Sequence, residues 1–148
     1  MMLPRIAVIV VMLAALAACS AGRPKERINP PVVSIQELAI SDGQCQMRLR
    51  VQNHSSVGMR FSEIELDAFT VDGREFGPLL LTPALEVPPY TGEPFRHTIP
   101  CPDLAANASE LIYRLQGTVR ADEPRRDRFS VRHGSRLLPV PGLDGVYR

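Results

Sequence analysis

The sequence predicts an all-β protein, one sandwich domain of about seven strands set behind a signal peptide and a short tether. Two observations carry this. From Pro31 onward apolar residues recur with period two, the pattern of half-buried strands, and no long stretch shows the three-and-four spacing of an amphipathic helix. Turn signals punctuate these runs at the spacing of a sandwich.

The N-terminus sets the address. Arg5 precedes an apolar run from Ile6 to Ala18, too short for a permanent membrane span and suited to a signal h-region. The run closes on Leu16-Ala17-Ala18-Cys19, the pattern of a bacterial lipoprotein signal, in which the Cys19 thiol receives a diacylglyceryl group. Residues 1–18 are therefore read as a lipoprotein signal peptide, 19–30 as lipidated Cys19 and tether, and 31–148 as the β-sandwich domain. An ordinary secretory signal would leave Cys19 as a spare thiol, whereas acylation leaves an even number of cysteines behind it. Lipoproteins carry two or three acyl chains on this cysteine, enough for stable anchoring. Ser20 stands where an Asp would favour inner-membrane retention, so the expected location is the outer membrane, facing the periplasm. Ser20 to Pro30 is polar, contains Pro24 and Pro30, and spans roughly 35–40 Å at full extension.

The elements follow in order. A first strand is expected over Val32–Ile40, ending at Ser41-Asp42-Gly43, with the Cys45 strand as its hairpin partner. That second strand alternates most clearly, with Cys45, Met47, Leu49 and Val51 on one side and Gln44, Gln46, Arg48, Arg50 and Gln52 on the other. After the loop Asn53–Gly58, a third strand sets Ile64, Leu66 and Ala68 against Glu63, Glu65 and Asp67. Phe69 and Val71 then switch parity, which predicts a bulge there or a strand passing from one face to the other, before Asp72-Gly73 reverses the chain. Leu79–Leu81 is apolar, and Phe95, His97, Ile99 and Cys101 alternate until Pro100 and Pro102 stop the strand. An Ala-rich connection, Asp103–Ser109, has room for a single helical turn. Leu111, Tyr113, Leu115 and Val119 form the next strand, and Phe129–Arg132 a last one. The apolar tail Leu137–Leu143 is expected along a sheet edge, with a partner protein taking that role as the alternative.

Two pairings remain open for the second and third strands. As neighbours they would set Arg50 against Glu63 and Arg48 against Glu65. If their loop crosses between sheets, the arginines and acids lie on opposite outer faces.

Cys45 and Cys101 both occupy apolar sides of strands, and an oxidising compartment makes a disulfide between them the default. A redox-active pair would need a low-pKa thiol at a helix start or in Cys-X-X-Cys, and neither context occurs. His54, His97 and His133 are scattered without ligands at metal spacing, so no metal or cofactor is expected. His97, beside Phe95 and Ile99, reads as a hydrogen-bonded, partly buried imidazole. No Gly-X-Ser-X-Gly frame or Gly-rich phosphate loop occurs, so no catalytic residue is assigned and an enzyme is not expected.

With Arg5 removed, basic and acidic side chains balance, which implies no strong electrostatic partner. The address and the scarcity of aromatics argue against nucleic acid. The Glu63, Glu65, Asp67 stripe reads as the solvated face of a sheet. Arg120–Arg136 holds six arginines against Asp122, Glu123 and Asp127, so Arg125, Arg126, Arg128 and Arg132 are the candidate partner surface, for lipid phosphates or an acidic envelope protein. Asn53-His54-Ser55 and Asn107-Ala108-Ser109 are read as turn residues.

Leu49-Arg50-Val51-Gln52-Asn53, Val71-Asp72-Gly73 and Glu86-Val87-Pro88-Pro89 resemble, in order and placement, the marked positions of the late-embryogenesis-abundant type 2 (water stress and hypersensitive response) domain, which includes small bacterial lipoproteins. The resemblance covers Val32 to Ile99, with Asn53-His54-Ser55 in place of the usual Asn-Pro-Asn. It implies an immunoglobulin-like or fibronectin-III-like sandwich, a role in desiccation or stress protection, and no catalytic residue to carry over. The expected function is a lipid-anchored, non-catalytic binding or structural module. The alternatives are an accessory docking subunit of an envelope assembly and, least favoured, an envelope hydrolase using His97 or His54.

Overall fold

The computed structural model describes Gly22 and residues 25–148; the expected signal segment and Cys19 lie outside the described residues. Among the described residues nine strands are present: β1 (Val32–Ser41), β2 (Gln44–Gln52), β3 (Met59–Thr70), β4 (Leu79–Leu81), β5 (Leu85–Val87), β6 (Gly92–Pro100), β7 (Leu111–Glu123), β8 (Asp127–Leu137) and β9 (Val146–Tyr147). They form two antiparallel sheets. One has the order β6-β2-β1-β9, the other β4-β3-β7-β8, with β5 also paired to β3. Seven of these strands match the expected ones. The two additions, β5 and β9, are three and two residues long, too short for an alternation to register.

The β1–β2 hairpin forms as its turn residues dictate, with Asp42 at φ 50° and Gly43 at φ 70°, both in the left-handed region that a tight two-residue hairpin turn requires. A register shift between Ile35 and Glu37 adds Gln36 as an unpaired residue. The extra residue lets Val33, Ile35, Leu38 and Ile40 all reach the core despite the change in parity. They meet Cys45, Met47, Leu49 and Val51 from β2, and across the sandwich Phe61, Ile64, Leu66, Leu115 and Val119.

The third strand departs from expectation in one respect. Its irregularity lies at Arg60–Glu63 and not at Phe69–Val71, so Phe61 and Ile64 both face inward with two residues between them. Phe69 keeps the outward parity of Asp67, Thr70 turns inward, and Val71 is 73% exposed. Thr70 is tolerated inside because its Oγ1 accepts the Arg74 N–H at 3.1 Å and bonds the Asp72 carboxylate, closing the turn.

Of the two open pairings, the crossing one forms. β2 pairs with β1 and β6, and β3 pairs with β7 in the other sheet. Arg48 and Arg50 are therefore on the opposite outer face from Glu63 and Glu65. The Asp103–Ser109 connection contains turns and no helical turn. The expected tail Leu137–Leu143 does not itself pair with β1; residues beyond it do. Leu138 and Val140 hydrogen-bond to Arg148 and Val146, and this returning segment pairs Tyr147 with Leu38 of β1.

Part of the expected tether belongs to the folded domain. The Arg27 and Asn29 N–H groups donate to Ser56 Oγ and Ser55 Oγ at 2.8 and 2.9 Å, and Ile28 packs against the core.

Candidate interaction surfaces

Cys45 at the start of β2 and Cys101 just after β6 form a disulfide, with Cα atoms 5.7 Å apart. Both are buried. The bond ties the register of two neighbouring strands, since Cys45 pairs with Ile99.

The β7–β8 hairpin divides its arginines. Arg128 points outward from β8 and lies 3.7 Å from Glu63 and 3.9 Å from Glu65, while Arg120 lies 3.3 Å from Glu63 and from Asp122. Arg125, at the turn, is 3.7 Å from Asp127. Arg132 stands in the row of Gln116 and Asp67, and Arg126 is exposed at the turn. The acidic stripe that reads as a solvated face is thus the counter-charge for this hairpin. Each such exposed pair is worth only about 0–1 kcal/mol, but together they leave little net field on this sheet.

The other outer face carries a concentration of arginines from separate strands. Register sets Arg48 directly across from Arg96, and Arg50 across from Pro94. Arg148, after β9, adds a fourth guanidinium and is held by Glu37 at 2.6 Å. Among the described residues, Arg48, Arg50 and Arg96 have no carboxylate within ion-pair distance. A shallow groove of about 350 Å³ runs between Gln36, Glu37, Arg48, Arg50, Pro94 and Arg148. The Arg50 side chain lies over Gly92, where a Cβ would meet its guanidinium 3.0 Å from Cζ. The alternation of β2 shows Arg48 and Arg50 on one side, but only the docking of β6 brings Arg96 to them.

A cleft of about 390 Å³ opens where β3, β5 and β6 meet, lined by Arg60, Glu86, Glu93 and Glu123 among others. Arg60 donates to Glu86 at 2.8 Å and lies 3.3 Å from Glu123. These contacts hold its pKa above the ordinary arginine value, the hydrogen bond to Glu86 contributing most. Glu86 and Glu123 are thus turned toward a cation that the chain supplies itself.

The histidines stay apart. His97 is half-buried on edge strand β6, and burial lowers its pKa; its expected hydrogen bond is not among those formed by the described residues. The His54 carbonyl accepts from Asn29 Nδ2, and the His133 ring lies tilted 6.2 Å from Tyr113. No group of three metal-ligating side chains occurs among the described residues.

Asn53 does more than turn the chain. Fully buried, it donates from Nδ2 to the carbonyls of Val57 and Val87 at 2.8 and 3.1 Å, and its Oδ1 accepts the Ser55 N–H. It locks the crossing loop onto β5.

No protein-family model matches the chain, and no curated protein does. Among solved structures, a solution structure of a protein from Arabidopsis thaliana superposes with a TM-score of 0.54 at 17% identity, covering 80% of this chain and 87% of that one. An X-ray structure of a Northeast Structural Genomics Consortium target gives 0.50 at 11% identity, covering 79% and 92%. The likeness is one of fold.

Proposed function

We propose that this chain is a periplasm-facing lipoprotein anchored in the outer membrane through Cys19, whose sandwich, read as immunoglobulin-like or fibronectin-III-like, acts as a non-catalytic binding or structural module. The observation that carries this reading is cysteine pairing. The chain has three cysteines, and Cys45 and Cys101 are bonded to each other. Cys19 is then the one thiol left for modification, at the end of a signal-like apolar run. A role in envelope stress or desiccation protection follows from the resemblance to the late-embryogenesis-abundant type 2 domain, and the two-sheet antiparallel fold is compatible with it. Replacing Cys19 with Ala tests the anchor. The wild-type chain is expected in the outer-membrane fraction and the variant outside it; identical fractionation overturns the reading.

A second reading, an accessory docking subunit, is favoured by Arg126 and Arg132, which project without an ion-pair partner among the described residues. It predicts a stoichiometric partner in detergent extracts that is lost when Arg125, Arg126 and Arg128 are reversed in charge. Recovery of the same material with the reversed variant removes it.

A further inference from the structure

We propose that the outer face of the β6-β2-β1-β9 sheet lies against the anionic phospholipid surface of the membrane to which the chain is tethered. The orientation rests on the lipid anchor proposed above, while the recognition chemistry rests on the face itself. Among the described residues, Arg48, Arg50, Arg96 and Arg148 share this face with one nearby carboxylate, Glu37, which stands across from Arg48 in register and is bonded to Arg148. Arg48 and Arg96 stand directly opposite one another. Like charges so placed repel, and an external anion between them relieves the repulsion. Guanidinium groups bind phosphate oxygens through paired N–H donors, and their weak hydration suits the membrane interface.

The chain's own path brings this face to the bilayer. Arg27 and Asn29 are pinned to Ser56 and Ser55, and β1 enters the sheet with Val32 paired to Gln52. Arg50 is two residues along β2 from Gln52 and on the same face, so the tether leaves the domain at the basic end of this sheet. From Cys19 to Arg27 the chain extends at most about 28 Å. A leash this short keeps the face at high effective concentration near the headgroups. On the opposite sheet Glu63 and Glu65 engage Arg120 and Arg128, so Arg114 and Arg132 stand there beside a partly neutralised acidic stripe. Guanidinium groups spread over β2, β6 and the residue after β9 match an array of phosphates better than one small ligand.

Arginine-directed labelling with phenylglyoxal, read by peptide mass spectrometry, tests this on the full chain reconstituted in vesicles. Arg48, Arg50 and Arg96 are expected to label several-fold more slowly on vesicles containing phosphatidylglycerol than on phosphatidylcholine alone, with the difference lost at high salt. Arg126 and Arg132 should label equally on both. Equal labelling of Arg48, Arg50 and Arg96 on the two vesicle types overturns the proposal. So does equal protection by polyglutamate, which would assign the face to an acidic protein, or by inorganic phosphate, which would make it a free-anion site. The mass of the Cys19 peptide in the same digest reports the anchor separately. If Cys19 carries no lipid, the anchoring reading fails, and the same comparison on the unanchored chain with added vesicles still decides whether the face binds phospholipid.

Discussion

Tyr113 reaches from β7 across the core, and its hydroxyl accepts the Ile35 N–H at 2.9 Å and donates to the Ile35 carbonyl at 3.3 Å. Ile35 adjoins the β1 bulge, so one phenolic group serves both backbone partners of an irregular residue in the opposite sheet. Tyr113→Phe keeps the ring and its burial but leaves a buried N–H and carbonyl without this partner. The expected loss is about 1–3 kcal/mol, which for a domain of this size lowers Tm by roughly 4–12 °C. Urea and thermal unfolding followed by far-ultraviolet circular dichroism measure it. A second readout is alkaline stability. Burial raises the Tyr113 pKa, outweighing the lowering effect of its hydrogen bonds. A raised folded-state value means stability is intact below the ordinary tyrosine pKa near ~10 and is lost as pH rises through the higher folded value. The Phe variant should lose that part of the alkaline dependence. A variant whose stability stays within about 0.5 kcal/mol of the parent would refute the idea that this hydroxyl clamps the two sheets.

Three other outcomes follow from the same structure. Reducing Cys45–Cys101, which are 56 residues apart in sequence, should cost about 4 kcal/mol in the chain-entropy model; unchanged urea midpoints with and without reductant would contradict it. Gly117→Ala should destabilise by about 3 kcal/mol, because a Cβ there would overlap the Glu65 carbonyl oxygen and lie 3.0 Å from Leu66 Cα, both on the paired strand. A loss below about 1 kcal/mol in thermal unfolding would show that the β3–β7 pairing yields easily. Ser62→Ala should be neutral or stabilising, since the Ser62 Oγ is buried at the β3 irregularity with no hydrogen-bond partner among the described residues; a clear drop in Tm would reveal a partner for that hydroxyl.

The strands that could be read from the chain are those whose two faces differ in chemistry. In β2 every second side chain is apolar and the rest are Gln or Arg, so its inward face was plain, as was its hairpin with β1 through Asp42-Gly43. Where parity depends on a tertiary detail, the pattern misled. Phe69 is outward although aromatic, and Thr70 is inward because its hydroxyl is satisfied within the following turn. The irregularity beside Ser62 left no local signature.

The charged surfaces were legible only strand by strand. The hairpin arginines looked unpaired because their acids, Glu63 and Glu65, come from a strand distant in sequence. Arg96, in turn, looked isolated because β6 joins Arg48 only through long-range pairing. Strand order is a property of the assembled sheets, and so the face with the larger unbalanced charge emerged only with them. The buried roles of Asn53 and Tyr113 were hidden for the same reason, since the groups they satisfy, Val87 and Ile35, lie on other strands.

Intact-mass and peptide analysis of the protein purified from its own membranes tests the anchoring claim most directly. The account predicts a mature chain beginning at Cys19, with a diacylglyceryl thioether on that residue. A chain that starts elsewhere, or an unmodified Cys19, would contradict it.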